Sequence, residues 1–142
     1  MQYLAQFMSD GAGFVVTFPS FPEANTAGAS EAEALENARD ALEVVALTYA
    51  KDGRALPEPD HTRTPASSQH AIPVSAAVLA KLSFIEAFRA SGLTQAALAA
   101  RLGKGENEVR RMLDAYHPTK LRSIENGLLA LGKRLVITVE AA

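Results

Sequence analysis

No cysteine occurs in the 142 residues, which excludes disulfides and thiolate-bound metal and makes a reducing compartment the natural setting. No run of about 18 apolar residues is present to span a bilayer. The N-terminus lacks a basic region leading into an apolar one, since Asp10 and Gly11 interrupt early, so no secretory signal is expected and the chain reads as cytoplasmic. The three histidines, His61, His70 and His117, have no metal-ligand spacing, so no metal and no cofactor are expected. Gly11 and Gly13 precede a strand pattern and not a helix, so they do not form a dinucleotide loop. Ser67 and Ser68 lie in a polar stretch with no structured base nearby. There is no internal repeat.

A large net charge is also missing: the formal balance is −2. That average hides a partition. Residues 1–60 carry 3 Lys and Arg against 10 Asp and Glu, whereas residues 61–142 carry 11 against 6. A split of this kind points to two domains with different partners, one cationic and one anionic. An acidic helix face that only keeps a small domain soluble explains the first half equally well. A hydrophobic content of 48% supports folded structure. Each half is close to the lower size limit for an independent core, a shortage that oligomerisation relieves.

The first half, residues 1–59, reads as an antiparallel sheet plus a helix. Residues 3–8 and 14–18 are β-rich runs around a glycine-containing loop, and a brief third strand is expected at 25–27. Ser30 and Glu33 have capping-box spacing and open a helix running to about Lys51. Its apolar stripe is Leu35, Ala38, Leu42, Val45 and Tyr49, with Glu33, Glu36, Asp40 and Glu43 mainly on the watery side. Asp52-Gly53 ends it. Residues 60–71 are polar without an apolar period and read as a linker.

The second half, residues 72–142, reads as helical. Residues 72–74 are expected as a short extended piece. A helix over 75–91 follows, then the most informative stretch, 92–113, GLTQAALAARLGKGENEVRRML. Thr94 is a good N-cap and Leu93 is placed to staple onto Leu98. Leu98, Ala99 and Leu102 form an inner side that lets another helix approach, and Gly103 suits a left-handed turn. A second helix starts near Glu106, with Val109, Met112 and Leu113 inward and Asn107, Arg110 and Arg111 outward. An amphipathic pair with a solvated face has the same periodicity. The coincidence of staple, alanine, glycine turn and basic outer face favours a DNA-reading helix-turn-helix.

The residues selected for DNA contact are Gln95, Lys104, Asn107, Arg110 and Arg111, with Thr94 and Lys120 on phosphates and Asn107 and Arg111 reading bases. A further helix with Leu121, Ile124, Leu128 and Leu131 ends at Gly132. The β-branched run at 135–139 predicts a terminal strand that pairs with a second copy, joined by 72–74, giving a homodimer or higher homo-oligomer; packing of that strand onto the N-terminal sheet is the alternative.

FPSFPEANTAGASEAEALENARDALE, the PEP exit at 57–59, and TQAALAARLG followed by EVRRMLD, HPTKL and LGKRL resemble the HicB-type antitoxins of type II toxin-antitoxin systems, in the branch with an Xre/Cro-like helix-turn-helix. EANT at 23–26 departs from the Pro-Gly-Cys type turn common in that family. The resemblance implies an α+β fold: a reduced ribonuclease-H-like N-terminal domain, then a helical domain with a C-terminal strand. It also implies a protein partner, a small HicA-type ribonuclease toxin neutralised by the N-terminal domain, and repression of the chain's own operon through double-stranded operator DNA. No membrane partner is implied. A plain repressor without a toxin is the alternative. A metal-dependent nuclease using Asp10, Glu36 and Asp40 is a weaker one, because two-metal chemistry needs carboxylates that converge. No catalytic residue is assigned, and the chain is not read as an enzyme.

Overall fold

A computed structural model of the chain describes residues 1–60 and 64–142. Two compact units divide it, Met1–Ser75 and Ala76–Ala142, and each builds its own core.

The first unit contains β1 (Gln2–Asp10), β2 (Gly13–Phe18), β3 (Phe21–Gly28), α1 (Glu31–Asp52) and β4 (Gln69–Pro73). The strands pair antiparallel in the order β3-β2-β1-β4. Asp10 pairs with Gly13 across a two-residue loop whose first residue, Gly11, has φ 61°, as such tight hairpin loops require. The third strand is longer than its sequence pattern suggests. Pro22 falls inside it, which an outermost strand tolerates because one of its edges needs no N–H donor.

On one sheet face Tyr3 packs edge-on to Phe21, and Phe21 to Tyr49 of α1. That helix buries Ala34, Ala38, Leu42, Val45, Ala46 and Tyr49, so small residues let it lie close to the strands. Ser30 caps it by accepting the Glu33 N–H at 3.2 Å. The return bond of the expected box goes one residue earlier: the Glu33 carboxylate accepts the N–H of Ala29, not of Ser30. Gly53, at φ 71°, closes the helix in the left-handed conformation.

The stretch expected as a linker, 60–71, is in part sheet. Asp60 accepts the Leu4 N–H on its carboxylate at 3.1 Å and donates its own N–H to Gln2 O at 3.0 Å. Residues 69–73 form β4 against β1, from Gln2↔Pro73 to Gln6↔Gln69. Residues 72–74 therefore belong with the first unit and not with the helical one. The His70 ring lies 4.5 Å from that of Phe7 in a tilted contact, and Ile72 is buried; two inward positions, one of them a histidine, make too short an alternation to recognise. Residues 61–63, inside the same expected linker, lie outside the described residues.

The second unit is α2 (Ala76–Ser91), α3 (Gln95–Leu102), α4 (Glu106–Leu113) and α5 (Leu121–Ala130). Ala80, Phe84, Leu98, Ala99, Val109, Met112, Ile124 and Leu128 make one core. The expected terminal strand at 135–139 is absent. Leu135 packs on the core, while Val136, Ile137 and Val139 are exposed, the last at 96%. A strand needs a ladder partner, and an all-helical unit supplies none. Among the described residues no helix is long and apolar enough to cross a membrane.

Gly127 sits where a Cβ would come 2.5 Å from Phe84 Cε1, so glycine here lets α5 approach the ring of α2. Gly127→Ala should destabilise the unit by about 1–3 kcal/mol through overpacking. Combined with Phe84→Leu, its penalty should shrink in a double-mutant cycle of thermal melts; strictly additive losses would contradict the contact.

Candidate nucleic-acid interface

Eight residues make α3 and eight make α4, too few to be helical alone in water. Local signals and packing together hold them. Thr94 accepts the Ala97 N–H at 3.1 Å, and Gly103 at φ 64° turns the chain while its N–H and that of Lys104 bond back to Ala100 O and Ala99 O. At the start of α4, Gly105 offers no side-chain cap, but Glu106 and Glu108 stand in the first turn, where negative charge complements the helix dipole. Val109 and Met112 lock the inner face of α4 into the core.

The outer face carries the residues selected from the sequence. Asn107, Arg110 and Arg111 are exposed on α4. Arg110 Nη1 donates to Asn107 Oδ1 at 3.2 Å, which uses one lone pair of that carbonyl and holds the orientation of the amide. A bidentate contact with adenine uses that amide group and the second lone pair of the carbonyl. Lys104 is half-buried and paired with Glu108 at 2.9 Å, which reduces the positive charge it offers a phosphate. Thr94 is exposed; its oxygen is used in the cap, but its hydroxyl proton is not. Gln95 is half-buried at the first position of α3, and Lys120 is exposed at the N-cap of α5.

Lys81 escaped the sequence reading. It is 5% exposed on α2, and its Nζ donates to Met112 O and Thr119 Oγ1, both at 2.6 Å. One ammonium thus ties α2 to the carboxyl end of α4 and to the segment leading into Lys120. Burial pushes its pKa below the usual lysine value, and the nearby Asp114 carboxylate opposes that shift. Arg101 makes a second tie, donating to Ala130 O at 3.0 Å and so linking α3 to the end of α5. Lys81 stands within the apolar run Val78-Leu79-Ala80-Lys81-Leu82, a signal that its side chain is inside, whereas nothing in the one-dimensional pattern marks Arg101.

The carboxylates of the nuclease alternative do not form a site. Asp10 ends β1, and Glu36 and Asp40 stand exposed on α1. Among the described residues no group of three His, Asp or Glu side chains is arranged to hold a metal ion.

A folded-state pKa below the unfolded value of 10.5 means that the unfolded chain binds the extra proton as that value is approached. The Lys81 contribution to stability should therefore rise with pH in the window just below 10.5. Lys81→Met should lower stability at neutral pH by about 1–3 kcal/mol through the two lost hydrogen bonds. It should also remove that alkaline rise. Denaturant midpoints of both proteins over this window provide the check, and parallel pH profiles would contradict the assignment.

A family model described as HicB-like antitoxin of bacterial toxin-antitoxin systems matches residues 2–83. The chain is 36% identical over 127 residues to Antitoxin HicB of Escherichia coli K12, covering 89% of this chain and 90% of that protein. It is 35% identical over 135 residues to Antitoxin HicB 2 of Photorhabdus laumondii, covering 95% and 94%. Antitoxin HicB of Pseudomonas fluorescens is similar at 35% over 121 residues, covering 85% and 82%. The family match ends inside α2, whereas these relatives align across most of both units.

Proposed function

Because the chain belongs to the HicB-like antitoxin family, whose members are antitoxins and not enzymes, we propose that it neutralises a small HicA-type ribonuclease toxin through the first unit and represses its own operon through the second. The acidic balance of residues 1–60 suits a basic toxin. One observation carries the DNA half of the reading: α4 has its inner stripe fixed in the core while Asn107, Arg110 and Arg111 stand together on the outside. In a helix-turn-helix such a helix enters the major groove, with Arg111 and Asn107 on base edges and Thr94, Lys104 and Lys120 along the phosphates. Arg110, bonded to the Asn107 carbonyl, orients that amide for a base.

The same reading includes a dimer, which presents two such helices to the halves of a palindromic operator. The exposed Val136, Ile137 and Val139 supply the contact, each tail acting as the ladder partner that the other lacks. Stopping the chain after Arg134 should give a monomer by light scattering and weaken operator binding; a truncated protein that remains dimeric removes that role.

Arg111→Ala should reduce operator affinity by about 1–3 kcal/mol and relax discrimination at one base pair, whereas Lys120→Ala should weaken specific and random duplex alike. Fluorescence anisotropy with both duplexes at several salt concentrations measures this. Equal losses on both duplexes for Arg111→Ala would contradict base reading. Co-purification from the native host tests the toxin half, with a stoichiometric basic partner encoded next door as the expected result.

A further inference from the structure

On the first unit, a groove of about 490 Å³ runs between β3 and α1. Ala24, Ala41 and Val45 give it an apolar floor, and Asp40 and Val44 stand one helical turn apart on its α1 side. Val44 is 58% exposed, an isolated large apolar side chain on a helix whose other exposed positions are mostly charged, with the carboxylates of Glu31, Glu33, Glu36, Asp40 and Asp52 outnumbering Arg39 and Lys51. No lysine, arginine or histidine lines the groove. Glu23, at its β3 rim, is already paired with Arg54 at 3.2 Å.

We propose that this groove receives an arginine or lysine side chain from the surface of the toxin, its aliphatic stem on Val44 and Ala41 and its cationic head on the Asp40 carboxylate. The inference rests on the antitoxin reading and deepens it by placing the partner. Long basic side chains bury their methylenes on apolar surface and keep the charge at a polar rim, and this groove offers both surfaces in that order. The charge of residues 1–60 draws a cationic protein and repels nucleic acid.

Side-chain insertion fits better than addition of a fifth strand. The backbone of β3, the edge strand that borders the groove, is partly engaged, because Asn37 Nδ2 on α1 donates to Ala27 O at 2.8 Å. Pro22 removes another donor from the same strand.

The test uses the full chain and the purified HicA-type protein encoded beside it. Asp40→Lys and Val44→Arg change exposed residues, and unaltered melting curves should show that both variants fold. Each is expected to weaken toxin binding in calorimetry by at least tenfold and to reduce rescue of toxin-arrested growth. Asp40→Glu should stay near the parent, and the loss in Asp40→Lys should be smaller at high salt. Met8→Lys is the control, since Met8 is 60% exposed on β1 and its neighbour Phe7 is buried, which puts Met8 on the opposite sheet face.

Toxin affinity within twofold of the parent for both groove variants overturns this placement and leaves the antitoxin reading standing. A parent chain that does not bind the toxin overturns both. Loss in Met8→Lys with retention in the groove variants moves the interface to the other face of the sheet and likewise overturns the placement.

Discussion

Helices as short as α3 and α4 persist only when tertiary contacts hold them, so the geometry of the outer face of α4 is set by what lies beneath it. Phe84 is fully buried in that core, and Gly127 lets α5 close on its ring. Val109 and Met112 fasten the inner side of α4 to the same cluster. Lys81 then fixes its carboxyl end from beneath by bonding Met112 O and Thr119 Oγ1. A residue that never reaches the surface therefore sets the spacing between the α4 side chains and Lys120. Burying an ammonium carries a desolvation penalty, and its presence is explained by this double tie at a helix end whose dipole favours positive charge.

In the first unit the constraint is different. A single helix layer covers one face of a four-stranded sheet, and the aromatic contacts from Tyr3 through Phe21 to Tyr49 anchor it. Alanines at 34, 38 and 46 bring the helix backbone close to the strands. The outward positions are then free to carry charge, and Glu33, Glu36 and Asp40 use them. Val44 departs from that pattern, and its exposure beside the groove makes it conspicuous.

Local rules read well from the sequence where one residue type answers one backbone demand. Ser30 and Thr94 cap as their hydroxyls predict, and Gly53, Gly103 and Gly132 all take the positive φ that ends a helix. The hairpin strands and the four helices of the second unit were legible for the same reason, with apolar period and punctuation agreeing. Three features were not. β4 is five residues long and its inward positions include His70, so hydrophobic alternation barely registers. Lys81 stands within an apolar run, but which groups its ammonium bonds is a tertiary property. The 135–139 run has strong β propensity but no neighbour in its own unit, and propensity alone forms no ladder. The exposed outer face of α4 was legible, but the Arg110–Asn107 and Lys104–Glu108 pairings depend on rotamers that spacing does not fix.

Under the proposed function, the charge partition lets a chain with a balance of −2 take a cationic partner on one unit and an anionic one on the other. Electrostatic attraction falls off within about 8 Å at physiological salt, so each partner responds to the unit it touches and not to the net charge. Salt weakens both associations, but by different laws. DNA releases condensed counterions, so log affinity falls by about 0.9 per phosphate neutralised for each unit of log salt. A protein surface holds no such condensed layer, and a groove with an apolar floor keeps the part of its affinity that comes from buried stem and not from charge. Salt dependence therefore separates the two proposed activities within one intact chain, the steeper response belonging to the unit that carries α4.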